Sequence, residues 1–142
     1  MIENHKVSHS DEYFMELAIE QAVIAQARGE VPVGALFVED EEILVASANA
    51  SIELSDPTAH AEVMVMRKAA QLKGNYRLGG SIYVTLEPCL MCLGAMIHAR
   101  VDRLIFVVHE KKIRFCETQC RSRLINCSFY FSEFPHNSLN QL

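Results

Sequence analysis

His60-Ala61-Glu62 and Pro88-Cys89-Leu90-Met91-Cys92 are the two stretches from which the rest of this chain can be placed. Read in order they give H-x-E followed by P-C-x-x-C. A catalytic zinc takes three protein ligands and keeps a fourth position open for water. His60, Cys89 and Cys92 would supply one nitrogen and two sulfurs, which leaves Glu62 free to move protons. Cys89 and Cys92 are three apart and share a face if they lie on a helix. Pro88 suits a helix start, where its missing N–H costs nothing. A helix N-terminus lowers a thiol pKa, and the thiolate is the form that binds metal. The ion would then tie two helix starts together. His60 and Glu62 are two apart and would point to opposite sides of a regular helix. They converge only on something beyond the first turn, which fits a water on the metal better than a fourth ligand. Alone, the C-x-x-C reads equally as a redox pair and the H-x-E as an ordinary helix start. The two in this order, with the proline before the first cysteine, point to a catalytic metal site far more strongly than either alone.

The surrounding composition is that of one globular domain over residues 1–142. Half of the 142 residues are hydrophobic, enough for a sizeable core. No apolar run approaches a membrane span, and residues 1–10 are polar with no signal-peptide core. The expected location is cytoplasmic, with no membrane partner. Five cysteines, an odd number, argue against a fully paired disulfide framework. A net charge of −5 is unlike a general nucleic-acid binder but leaves room for a basic patch on an acidic body.

The periodicity predicts a first helix over Ser10–Arg28, capped by Ser10. Asp11 and Glu12 stand where the dipole favours acids, Gly29 stops the helix, and Phe14, Leu17, Ala18, Ile24 and Ala25 form a core stripe. Ala35–Val38 reads as a buried strand. Glu39–Glu42 is an acidic turn and Ile43–Ala50 a second strand, giving a hairpin. Asn49, near its end, reads by itself as a turn residue. Asp56-Pro57 predicts a helix start, with a helix over Pro57–Leu72 carrying His60 and Glu62 and ending at Gly74. Val63, Met66 and Ala70 would face inward, and Arg67, Lys68 and Lys73 would face water. Ser81–Leu86 reads as a strand and Pro88–Ala99 as a helix whose small Gly94, Ala95 and Ala99 permit close packing. Arg103–Val108 reads as a further, interior strand. Strands alternating with helices argue an α/β layered domain.

Beyond the metal signature, the chain resembles the bacterial tRNA-specific adenosine deaminases of the cytidine/deoxycytidylate deaminase superfamily. The residues that carry the resemblance are Glu30-Val31-Pro32-Val33-Gly34-Ala35, Asp56-Pro57-Thr58-Ala59-His60-Ala61-Glu62, Asn75-Tyr76-Arg77-Leu78, Tyr83-Val84-Thr85-Leu86-Glu87-Pro88-Cys89 and Gly94-Ala95-Met96-Ile97-His98. The similarity covers residues 8–107. It implies a three-layer α/β/α cytidine-deaminase-like fold, a central mixed five-stranded sheet flanked by helices, in a homodimer. It implies conversion of adenosine to inosine at the wobble position of a tRNA anticodon loop, with arginine tRNA as the typical substrate. It also implies one Zn2+ per chain on His60, Cys89 and Cys92, Glu62 as proton shuttle, and Asn49 hydrogen-bonded to the nucleoside. The base must leave its stack to enter the pocket, which is cheapest in a single-stranded loop.

From residue 108 the resemblance stops. No glycine follows Gly94, and residues 108–142 form a divergent tail. Two readings compete: a divergent but folded C-terminus, or out-of-frame or degraded sequence joined to an intact body. Cys116, Cys120, Cys127 and His136 have no standard zinc spacing. Lys111, Lys112, Arg114, Arg121 and Arg123 read as a phosphate-contacting cluster or as a solvated loop. Two further functions compete with the first: a deaminase of a free base or nucleoside such as guanine or cytosine, and a catalytically impaired, zinc-stabilised module. Glu62 speaks against the last, because a structural zinc site has four protein ligands and no use for a spare carboxylate.

Overall fold

A computed structural model describes residues 9–108 and 126–131. The element order is α1 (His9–Ala27), β1 (Gly34–Glu39), β2 (Glu42–Ala48), α2 (Ala61–Lys73), β3 (Ser81–Val84), α3 (Leu90–His98), β4 (Arg103–Val108) and β5 (Asn126–Phe131). The strands form one mixed sheet in the order β2-β1-β3-β4-β5. β1 is antiparallel to β2 and to β3, while β3, β4 and β5 run parallel.

The pleat explains the layers. Leu36, Val38, Tyr83, Ile105 and Val107 point to one face, where Phe14, Met15 and Ala18 of α1 meet them. Ala35, Phe37, Ile82, Val84, Leu104 and Phe106 point to the other, against Val65, Met66 and Ala69 of α2 and Leu93 and Met96 of α3. Both faces are covered at β1, β3 and β4, so these strands read as near-continuous apolar runs. This is the expected α/β/α arrangement. Gly34 sets the approach of α1: a Cβ there would lie 2.0 Å from the Ala18 carbonyl oxygen and 2.5 Å from the Ala22 nitrogen. Beside it, the Gly34 N–H donates to Thr85 Oγ1 at 3.1 Å. The Thr85 N–H donates back to the Gly34 oxygen at 3.1 Å. This pair binds the start of β1 to the loop that leads to Cys89.

Several local expectations are corrected. α1 begins at His9, which puts Ser10 inside its first turn. Ile24 is 39% exposed, and Met15 and Ala22 hold the core positions beside Phe14, Ala18 and Ala25. The hairpin turn narrows to Asp40 and Glu41, both at positive φ (52° and 62°). α2 starts four residues later than the Asp56-Pro57 signal suggests. Asp56 closes a local turn instead, accepting from the Thr58 N–H at 2.8 Å and the Thr58 hydroxyl at 2.7 Å. α3 starts at Leu90, so Pro88 lies ahead of the cap rather than in the helix. Gly94 is no packing device, since a Cβ there would meet nothing within 4 Å. Gly74 does end α2, at φ 64° with its N–H on the helix's last carbonyls. β5 supplies the fifth strand, pairing from Arg103↔Asn126 to Val108↔Phe131. Lys111, Lys112, Arg114, Arg121, Arg123, Cys116, Cys120 and His136 lie outside the described residues. Among the described residues no helix is long and apolar enough to cross a membrane.

Candidate active site

His60 and Cys89 occupy the same structural position on two helices. His60 is the N-cap of α2 (φ −68°, ψ 152°) and Cys89 the N-cap of α3 (φ −72°, ψ 170°). Their carbonyls accept the first helical bonds, from Met64 and Leu93, at 2.9 Å each. An N-cap side chain ordinarily turns back onto the helix. Neither does so here, and both reach toward one another. Cys92 enters from the first turn of α3, fully buried. The expectation that His60 lies within a helix is therefore corrected: its extended backbone lets the imidazole and the Glu62 carboxylate approach one cavity.

The separations are 3.6 Å from Cys89 Sγ to His60 Nδ1, 3.6 Å between the two sulfurs and 3.4 Å from Cys92 Sγ to His60 Nδ1. Four-coordinate zinc, with Zn–S near 2.3 Å and Zn–N near 2.0 Å, has donor–donor edges of roughly 3.5–3.8 Å. The three donors fit that ion, and they form the one such group found among the described residues. Without a cation, burial pushes the Cys92 thiol up, and the Glu62 carboxylate and the Cys89 sulfur add to the shift. A bound divalent cation inverts this balance, because a coordinating thiol is deprotonated.

Glu62 stands in the first turn of α2, 4% exposed. Burial raises its carboxyl above the ordinary range, against the lowering effects of its own backbone N–H, the Cys92 thiol and His60. It lines a cavity of about 300 Å³ together with Asn49, His60 and Cys89, and Val31 and Leu86 contribute apolar wall. Cys89 is exposed, so the metal-ligand cluster is reachable from this side. Asn49 is 5% exposed and donates from Nδ2 to Glu30 Oε2 at 3.3 Å. The structure thus brings together all five residues singled out in the sequence. Glu30 was quoted there as part of a motif but given no role, because nothing in local sequence shows that its carboxylate is buried beside Asn49.

A mixed sheet carrying a nitrogen, two sulfurs and a buried carboxylate at two helix starts defines a zinc-binding deaminase domain. The chain belongs to the cytidine and deoxycytidylate deaminase zinc-binding family, whose pattern matches residues 8–108. It is similar to the tRNA-specific adenosine deaminase of Buchnera aphidicola subsp. Baizongia pistaciae, 49% identical over 106 residues, 74% of this chain and 65% of that protein. It is also similar to the tRNA-specific adenosine deaminase of Haemophilus influenzae, 48% identical over 107 residues, 74% of this chain and 62% of that protein. The chain therefore spans just under two thirds of the length of these two relatives. A solved structure from biochemical and structural studies of A-to-I editing by tRNA:A34 deaminases at the wobble position of transfer RNA superposes with a TM-score of 0.68. It is 46% identical, with 70% of this chain and 77% of that one covered.

Proposed function

We propose that the chain is a zinc-dependent deaminase that converts adenosine to inosine at the wobble position of a tRNA anticodon, with an arginine tRNA as substrate. The observation that carries the chemistry is the His60, Cys89 and Cys92 triad at tetrahedral spacing beside a buried carboxylate in an open cavity. The choice of adenosine in tRNA is supported by the relatives' names. In this reading His60, Cys89 and Cys92 hold the ion, Glu62 handles protons and Asn49 contacts the nucleoside. Zinc, when bound, supplies a Lewis acid and a water acidified toward neutral pH.

The protein's part is proton handling and orientation of the base. Glu62 takes a proton from the attacking water as its oxygen adds to C6 of adenine, and delivers that proton to the adjacent ring nitrogen. It then carries a second proton to the departing amine, so the C6–N bond breaks and ammonia leaves. One carboxylate serves both transfers because it is regenerated within the cycle. Val31 and Leu86, at the cavity wall, offer apolar surface to a base drawn out of its stack. The same reading places the protein in the cytoplasm as a homodimer.

The test is inosine formation in an arginine-tRNA anticodon stem-loop, with zinc measured on the same sample. Inosine at the wobble position with about one zinc per chain is the expected result. Zinc without inosine would remove the tRNA reading and make a free-base or nucleoside deaminase the next assay.

A further inference from the structure

Glu30 lies outside the cavity lining and is 5% exposed. Its carboxylate accepts the Ile52 N–H at 3.0 Å (Oε1) and 3.1 Å (Oε2), the Glu53 N–H at 2.7 Å and Asn49 Nδ2 at 3.3 Å. Two backbone amides thus hold a buried carboxylate, by both of its oxygens, directly behind a cavity-lining amide. An ionised carboxylate can only accept. The Asn49 amide has two orientations a half-turn apart, and only one places nitrogen against Glu30. The other would set Oδ1 against a carboxylate oxygen at hydrogen-bond distance, out of reach of solvent screening. The Asn49 main chain is fixed separately, its N–H on the Val33 oxygen at 3.0 Å. The side-chain amide is the freedom left for Glu30 to remove.

We propose that Glu30 is a positioning residue that locks the Asn49 amide in one orientation, so that the cavity presents a fixed carbonyl oxygen and one remaining N–H to the nucleoside. The inference rests on the reading of Asn49 as the nucleoside contact. Glu30 touches no substrate; it acts through Asn49 and through the loop amides of Ile52 and Glu53. Its loss therefore affects alignment in the pocket rather than RNA affinity, which phosphate contacts dominate. Misalignment near the reacting centre lowers kcat.

A double-mutant cycle on the zinc-loaded protein tests this, with kcat and KM measured on the anticodon stem-loop for wild type, E30Q, N49A and E30Q/N49A. Glu30→Gln keeps the length and an acceptor for the loop amides, but turns an NH2 donor toward Asn49 and so favours the opposite orientation of its amide. The expected result is a kcat loss of roughly tenfold to a hundredfold for E30Q, KM within about threefold, unchanged zinc content, and no further loss from E30Q once Asn49 is alanine. An equal loss in both backgrounds would make Glu30 a structural residue and overturn the proposal, as would wild-type kcat in E30Q. Should E30Q not fold, Glu30→Asp, which keeps the charge but shortens its reach, is carried through the same cycle with the same criteria. A wild-type protein that binds zinc but makes no inosine would instead sink the underlying functional reading, and that result is visible before any variant is made.

Discussion

Glu62 is set in the first turn of α2 and almost wholly shielded from water. General acid–base catalysis is worth about 10²–10⁴ per positioned group, and in the proposed mechanism one group serves two transfers. Glu62→Ala should retain one zinc per chain and lose at least about a thousandfold in kcat. Metal analysis beside a single-turnover assay checks both halves, and residual turnover within tenfold of wild type would take Glu62 out of the mechanism. Asp56 is a residue of another kind. The Thr58 hydroxyl first, then the Thr58 N–H and, more weakly, Arg67 hold its carboxyl below the ordinary aspartate value of about 3.8, against an opposing effect of burial. A carboxyl depressed in the folded state stabilises fully above its unfolded pKa, and that contribution is lost as pH falls through the folded value. The stability difference between wild type and Asp56→Asn should therefore be present at neutral pH and shrink below pH 3.8. Urea midpoints taken from neutral pH downward test the sign; a gap that widens in acid contradicts it.

Between elements, two contacts carry more than their size suggests. Asp11 of α1 is 2% exposed. It accepts both guanidinium nitrogens of Arg103 at 2.8 Å and the Tyr83 hydroxyl, which joins α1 to β3 and β4. Burial and then the Asp11 carboxylate push the Tyr83 hydroxyl pKa up, so it remains a donor across the working range. Asp11 is buried but Arg103 is 29% exposed and can turn to water, so Asp11→Ala should cost about 1.5–3 kcal/mol by chemical denaturation, from the lost charged hydrogen bonds and the stranded Tyr83 hydroxyl. A cost below about 1 kcal/mol would show a solvent-screened pair instead. Gly34 is the second contact. Its missing Cβ admits the backbone of α1 at a distance no side chain tolerates. Gly34→Ala should shift α1 outward and cost about 3 kcal/mol or more, an overpacking penalty at the upper end of its range. It should also disturb the adjoining Thr85 pair and lower activity with it. The helices and the strands β1 to β4 were legible from their apolar patterning, most plainly β1, β3 and β4, whose residues are buried on both faces. The start of α2 was not. Asp-Pro is a sound helix signal, but the Asp56 carboxylate finds closer donors on Thr58 and spends itself on a turn.

For the molecule as a whole, the metal site joins the two helices on one face of the sheet at their N-termini. A ligand that binds only the folded state stabilises it by about 4 kcal/mol when present at a thousandfold over its Kd. For a chain of this size that is roughly 10–15 °C in Tm. Chelation should lower Tm by that order and abolish deamination, and zinc alone among the added salts should restore both. A chelated protein with unchanged Tm would mean that the helix starts are held by their packing without the ion.

The sequence by itself determined the α/β class and the order of elements from α1 to β4, and it singled out His60, Cys89, Cys92 and Glu62 as candidate site residues. These follow from short-range physics: periodicity, proline and glycine punctuation, and ligands whose chemistry is stated by residue type. Only the tertiary structure decided that His60 and Cys89 stand at paired helix caps and that Glu30 lies behind Asn49. The same is true of Asp11, which reaches Tyr83 and Arg103 across 72 and 92 residues of sequence. The physical reason is that burial and pairing of a polar side chain are set by neighbours distant in the chain. No local pattern separates a solvated carboxylate from one enclosed by the fold.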